Sequence, residues 1–254
     1  MLIDTHTHLY DEKFDTDRTA MIQSAINIGV DKMYLPNCDS TTIDGMFAVE
    51  KEFPENCFAM MGLHPCYVKE NVADELKIVE EWLSKRKFIA VGEIGLDYYW
   101  DKTFIPEQKK ALRTQIEWAL HYKLPIVIHT REATKDTIEI VKEYEPKGVR
   151  GVFHCFSGSL ETARQITDMG LYLGIGGVLT YKNAGLQEVI KNVDLKHLVL
   201  ETDAPYLTPV PHRGKRNESS YVNLVAQKLA ELKEIDLSEV EKLTTENALK
   251  LFGK

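Results

Sequence analysis

Short apolar runs recur along the whole chain, each bounded by polar, glycine or proline positions. They fall at residues 2–6, 32–36, 57–61, 88–92, 125–129, 151–155, 171–175 and 197–201. Each is brief and mostly apolar, the pattern of a parallel strand buried on both faces. Between the runs the apolar positions shift to a helical period. Residues 106–123 place Ala111, Leu112, Ile116, Ala119 and Leu120 on one stripe, and Pro106 with Glu107 suits a first helical turn. Residues 73–86 set Leu76, Val79 and Leu83 in the same way. Ser238 with Glu241 reads as a capping box opening a last helix that stops at Gly253. Eight runs in 254 residues give about 32 residues per strand-plus-helix unit, the spacing of an α/β chain folded as a (β/α)8 TIM barrel, a single domain over residues 1–254. A doubly wound open sheet has the same alternation, and periodicity alone leaves both open.

The chemistry-bearing residues gather where the runs end. His6 and His8 close the first run, and a spacing of two turns both imidazoles to one face. Glu93 ends the fourth run, His129 the fifth, His154 lies near the end of the sixth, and Asp203 follows the eighth. In a closed barrel those carboxyl ends form one mouth, whereas in an open sheet the first and eighth strands do not share a pocket, so the clustering favours the barrel. Four imidazoles and two carboxylates exceed one tetrahedral metal but suffice for two that share a carboxylate. The expected assignment gives His6, His8 and Asp203 to one ion, His129 and His154 to the other, and Glu93 to both. The mixed nitrogen and oxygen donors suit Zn, Mn, Fe or Ni better than Mg.

Composition narrows the class without changing that picture. The formal charge is −8, with 39 acidic against 31 basic side chains, which argues against a protein with a broad basic nucleic-acid face. Any phosphate polymer must then be drawn in by a local site. No apolar run approaches the ~20 residues of a spanning helix, and Asp4, His6, His8, Asp11 and Glu12 stand where a signal peptide would be apolar. Cys38, Cys57, Cys66 and Cys155 show no Cys-x-x-Cys spacing. Reduced thiols in a cytoplasm are the expectation, with no membrane partner and nothing that demands more than a monomer.

The motifs resemble those of the TatD family of metal-dependent deoxyribonucleases, within the amidohydrolase-like barrels. The segments that carry the likeness are Ile3-Asp4-Thr5-His6-Thr7-His8-Leu9, Gly62-Leu63-His64-Pro65 and Val91-Gly92-Glu93-Ile94-Gly95-Leu96-Asp97-Tyr98. They continue with Ile128-His129-Thr130-Arg131, His154-Cys155-Phe156-Ser157-Gly158, Glu201-Thr202-Asp203-Ala204-Pro205-Tyr206-Leu207 and Arg213-Gly214-Lys215-Arg216-Asn217. One departure is Glu218-Ser219 after Asn217, where the family often continues Glu-Pro. The resemblance implies a 3′→5′ exonuclease acting on single-stranded DNA with two divalent cations per subunit, Mg, Mn or Zn. It also implies Glu93 in the bridging place that related amidohydrolases give to a carboxylated lysine.

Asp203 and Glu93 are the expected catalytic residues, with Asp203 accepting a proton from water and Glu93 shared between the cations. Arg131, two residues past His129, projects toward the mouth, where a guanidinium matches phosphate oxygens. His64, ending the third run, is expected to donate to phosphate or leaving group. Arg213, in the basic run 212–216, is expected to guide the phosphate backbone. The aromatic run 98–100 reads equally as a base-stacking platform or a packed loop. Glu201 is expected to orient a ligand, and Asp4 to brace the barrel floor. Two rival readings stand beside the nuclease. One is an amidohydrolase cutting a C–N or ester bond, since the same ligands serve it. The other is a metal-binding scaffold without catalysis.

Overall fold

The computed structural model describes residues 1–253. Among them are eight parallel strands, each at one of the expected runs: β1 (Leu2–Asp4), β2 (Val30–Leu35), β3 (Cys57–Ala59), β4 (Val91–Asp97), β5 (Ile126–Arg131), β6 (Gly151–Phe153), β7 (Tyr172–Ile175) and β8 (Leu198–Leu200). They pair in chain order as β1-β2-β3 and β4-β5-β6-β7-β8. Two seams close the ring. At the first, Met61 pairs with Val91, and Gly92 N–H donates to Met61 O at 3.1 Å. At the second, Thr5 donates to Leu200 O from its backbone N at 3.0 Å and from its hydroxyl at 2.9 Å. The open-sheet alternative therefore falls, and the fold is the TIM barrel.

Alternation along the strands builds the two layers. Ile126 and Ile128 of β5 and Leu198 and Leu200 of β8 join the cluster that packs the helices. Val127 and Val199, between them, join Ile3, Tyr34, Met60 and Val152 in a separate interior cluster. The end of the last helix, with Ala248, Leu251 and Phe252, belongs to that cluster and plugs the barrel floor. Burying both faces of every strand in this way is what a parallel barrel requires.

The nine α-helices among the described residues follow the expected pattern, and two details of the chain shift. They are α1 (Arg18–Asn27), α2 (Ile43–Glu52), α3 (Val72–Lys85), α4 (Ile105–Tyr122), α5 (Thr134–Lys142), α6 (Leu160–Asp168), α7 (Leu186–Lys191), α8 (Val222–Lys233) and α9 (Leu237–Phe252). Helix α9 is capped at Asp236, so Ser238 sits inside its first turn and makes no capping box. Leu237 packs on the core and draws the helix start forward. Gly253 ends α9 in the left-handed conformation, as expected. The second shift matters more. Strand β4 runs on to Asp97, so Glu93 lies within it and not at its end. Gly92 and Gly95 look like punctuation, but Ile94 and Leu96 are fully buried and carry the strand through them. Among the described residues no helix is long and apolar enough to cross a membrane, and the four cysteines are free.

Candidate metal centre

The interior layer and the chemical layer are two residues apart. Val127 and Val152 face the barrel interior, so His129 and His154, two positions on, take the same facing at the mouth. His6 and His8 follow β1 and are tied down by their backbone. Asp203 N–H donates to His6 O at 2.9 Å, and His8 N–H donates to Ala204 O at 2.7 Å. Asp203 itself has φ +56, a left-handed conformation that Asp tolerates when its loop is held. Asp4 holds it, accepting from the backbone N–H of Thr202 at 2.9 Å and from its hydroxyl at 2.6 Å. Asp4 thus braces the loop after β8 and not the barrel floor. Burial pushes its carboxyl up to about 7 against those hydrogen bonds.

Glu93 is placed by two close approaches. Its N–H donates to Asn37 O at 3.1 Å, and Asn37, fully buried, also donates from its side chain to Gly62 O at 2.8 Å. Gly95 lets β4 approach β5, because a Cβ there would lie 1.9 Å from His129 O. The two carboxylate oxygens of Glu93 then face different partners. Oε2 lies 3.1 Å from His6 Nε2 and 3.7 Å from His8 Nε2. Oε1 lies 2.7 Å from His154 Nε2, 3.0 Å from His129 Nδ1 and 3.4 Å from His64 Nε2. Asp203 Oδ1 completes the first set, 3.7 Å from His6 Nε2 and 3.4 Å from His8 Nε2.

These spacings suit a cation. Bonds of ~2.0–2.2 Å at tetrahedral angles put donor atoms roughly 3.3–3.6 Å apart. Asp203 stands 3.7 and 3.4 Å from His6 and His8, close to that span, and Glu93 stands slightly nearer to His129 and His154; the side chains also group as His6 with Glu93 and His154 and as His64 with Glu93 and His129. Buried polar atoms without partners point the same way. Neither ring nitrogen of His6 makes a hydrogen bond, nor do His154 Nδ1 and Glu201 Oε2. Each such orphan costs about 1–3 kcal/mol if nothing engages it. Burial alone would raise Glu93, yet the imidazoles of His154, His64 and His6 hold it well below the usual carboxylate range. Asp203 is held low in the same way, its burial outweighed by His8, His154 and His6. Burial lowers His6, which favours the neutral ring that a metal ligand needs. The donors present therefore fit divalent cations.

The profile of the TatD-related DNase family matches residues 3–253. The chain belongs to that family. It is 43% identical over 253 residues to the uncharacterized metal-dependent hydrolase YabD of Bacillus subtilis, covering 99% of each chain. It is 31% identical over 254 residues to the uncharacterized metal-dependent hydrolase YcfH of Escherichia coli K12, covering 99% of this chain and 95% of that one. Among solved structures, YjjV, a TatD homolog of E. coli K12, superposes with a TM-score of 0.93 at 30% identity, over 100% of this chain and 98% of that one. The chain is thus a metal-dependent hydrolase of the TatD family.

Around the centre of this TatD-family barrel stand residues that the sequence reading missed or misplaced. Asp97 is the main omission. Its Oδ2 lies 2.9 Å from His129 Nε2, while its Oδ1 accepts from the backbone N–H of Tyr99 at 2.9 Å and of Trp100 at 3.1 Å. One carboxylate therefore orients a site imidazole and shapes the adjoining loop. His64 reaches the centre, but its Nδ1 accepts from Cys66 N–H at 3.1 Å. In the neutral ring the proton is then on Nε2, which makes His64 a hydrogen-bond donor toward Glu93 rather than a ligand. Glu201 is fully buried, its Oε1 accepting from Cys155 N–H at 2.5 Å and lying 3.6 Å from His154 Nδ1. Gly174 makes room for it, since a Cβ there would meet Glu201 Oε2 at 2.2 Å.

The basic residues of the mouth divide in two. Arg131 ends β5, is exposed, and lies 3.7 Å from the Tyr99 ring centroid with no carboxylate partner among the described residues. Arg213 is likewise exposed, 4.2 Å from the Tyr181 ring centroid, with no ion pair among the described residues. Arg216 is committed elsewhere. It makes two 2.7 Å hydrogen bonds to Asp17 and packs over Phe14, so it belongs to the fold and not to a phosphate track.

Proposed function

We propose that this chain is a divalent-metal-dependent phosphodiester hydrolase, a 3′→5′ exodeoxyribonuclease that acts on single-stranded DNA with a metal-activated water. The observation that carries the reading is Glu93, whose Oε2 turns to the His6 and His8 pair and whose Oε1 turns to His129 and His154. We assign His6, His8 and Asp203 to one cation, His129 and His154 to a second, and Glu93 to both. Two bound cations lower the pKa of a water from 15.7 toward roughly 7 and offset charge on phosphoryl oxygens. Mg, Mn and Zn are the candidates.

The chain's own groups supply the rest. Asp203, with Oδ1 toward the imidazoles and its side chain 14% exposed, is placed to take a proton from water and return it to the leaving oxygen. His64, whose Nε2–H faces Glu93 Oε1 at 3.4 Å in the absence of substrate, would turn that proton to the phosphoryl oxygen or the leaving group when substrate is bound. Arg131 and Arg213, free of carboxylates, offer paired N–H donors to phosphates on either side. That pairing of cationic donors with the centre favours phosphate over the amide and ester alternatives. The free thiols agree with a reducing compartment, the cytoplasm.

The test is product release from a 3′-labelled single-stranded oligonucleotide, run beside a panel of amides and lactones with Mg, Mn and Zn supplied separately. Nucleotide release should dominate, and Asp203→Asn should cut kcat by about 10²–10⁴-fold while changing KM little. Faster turnover of an amide or lactone, or an Asp203→Asn protein with near-normal kcat, overturns it.

A further inference from the structure

The exposed apolar surface of this molecule is not scattered. Of the eight exposed large apolar side chains among the described residues, Tyr67, Tyr99, Trp100, Tyr206, Leu207 and Val210 lie on loops at the mouth, after β3, β4 and β8. Trp100 is the most open of all, 68% exposed. A tryptophan so exposed adds little to the core, and its loop is nevertheless held firmly. Asp97 grips the backbone N–H groups of Tyr99 and Trp100 with one oxygen and His129 with the other. The aromatic pair is thus set at a fixed offset from the metal centre.

We propose that Trp100, Tyr99 and Arg131 form a stacking station for one nucleobase of single-stranded DNA, holding the nucleotide beside the scissile phosphate. The inference rests on the phosphodiester reading above and adds how the polymer is gripped. Each member has a distinct part. Tyr99 stands edge-on to Trp100, with centroids 4.9 Å apart and an interplanar angle of 86°, and its own face is covered by the Arg131 guanidinium at 3.7 Å. Tyr99 is therefore a support that holds Arg131. Arg131 also lies over one face of the Trp100 ring, 5.4 Å from its centroid, so its unpaired N–H donors reach a phosphate while a base lies on the other face of an indole that is 68% exposed. A cation packed against an exposed indole matches a nucleotide, which presents both an anion and a π-face. Stacking is also sequence-tolerant, as an exonuclease that passes every base requires.

The experiment is a cycle between protein and substrate on the metal-loaded enzyme. Trp100→Ala and Trp100→Phe are compared with the wild type on a single-stranded oligonucleotide and on the same strand with its terminal nucleotides made baseless. On the ordinary strand Trp100→Ala should raise KM about tenfold, the effect of losing one stacked base. Trp100→Phe should recover most of that loss. On the baseless strand the difference between Trp100→Ala and wild type should collapse. An unchanged KM on the ordinary strand overturns the proposal, and so does an equal rise on both strands. If the wild type cleaves no oligonucleotide, the phosphodiester reading fails, and tryptophan emission then decides the station by itself. Quenching by the strand that is lost in Trp100→Phe supports it, and an absence of quenching overturns it.

Discussion

At the residue scale the centre depends on carboxylates that point two ways. Glu93 spans two imidazole sets, and Asp97 spans an imidazole and a loop. The second case yields a sharp prediction. Asp97 Oδ2 accepts from His129 Nε2, so in the neutral ring that a cation requires Nδ1 is unprotonated and faces Glu93 Oε1. In Asp97→Asn the amide can keep its oxygen on the Tyr99 and Trp100 N–H groups, and its NH₂ then faces His129. The ring must accept at Nε2 and carry its proton on Nδ1, the wrong side for a cation. Metal affinity and turnover should each fall about 10–100-fold, measured by metal titration and by oligonucleotide cleavage, with little loss of thermal stability. Unchanged metal affinity in Asp97→Asn would contradict that role. Asp97 was legible in principle. Glu93, Gly95 and Asp97 are spaced by two and share one facing once β4 is allowed to pass through its glycines. Gly95 disguised the strand because it serves contact with His129, not a turn.

At the element scale, strand positions were the most readable part of the chain and loops the least. All eight runs became strands because burial on both faces leaves a continuous apolar signature. The loop after β8 gave no such signal. Its basic residues look alike in sequence, yet Arg216 is fixed by Asp17 of the segment before α1, a partner 199 positions away, while Arg213 is not paired. Their variants should therefore behave differently. Arg213→Gln should reduce the salt dependence of oligonucleotide KM by roughly 0.7 in log–log slope with no change in stability. Arg216→Gln should leave that slope alone and destabilise the fold by about 0.5–1 kcal/mol near neutral pH. Arg216 holds the Asp17 carboxyl below its ordinary range, so the pair stabilises the fold above the usual carboxylate pKa. As pH falls through the Asp17 pKa that contribution is lost, and the gap between wild type and Arg216→Gln should close. Thermal melts across an acid pH series measure this. A gap that stays constant into strong acid contradicts the assignment.

At the scale of the whole molecule, closing the ring turns dispersed residues into one centre. His6 follows β1 and Asp203 follows β8, yet Thr5 pairs with Leu200 and the two meet. Six ligand candidates were legible because strand ends converge by topology. What supports them from elsewhere (Asn37 behind Glu93, Asp4 behind Asp203) was not, because those partners come from another loop or from across a seam. The same closure places the rim aromatics after β4 across the mouth from those after β8, four strands apart around the ring. The central claim, that one glutamate is shared by two cations, has a direct test. Wild type and Glu93→Gln are loaded with Mn or Zn, freed of excess ion, and assayed for metal per chain. The account predicts two ions per wild-type chain and one or fewer in Glu93→Gln, because the amide nitrogen offers no lone pair where a carboxylate oxygen stood. One ion per wild-type chain, or two retained in Glu93→Gln, would contradict it.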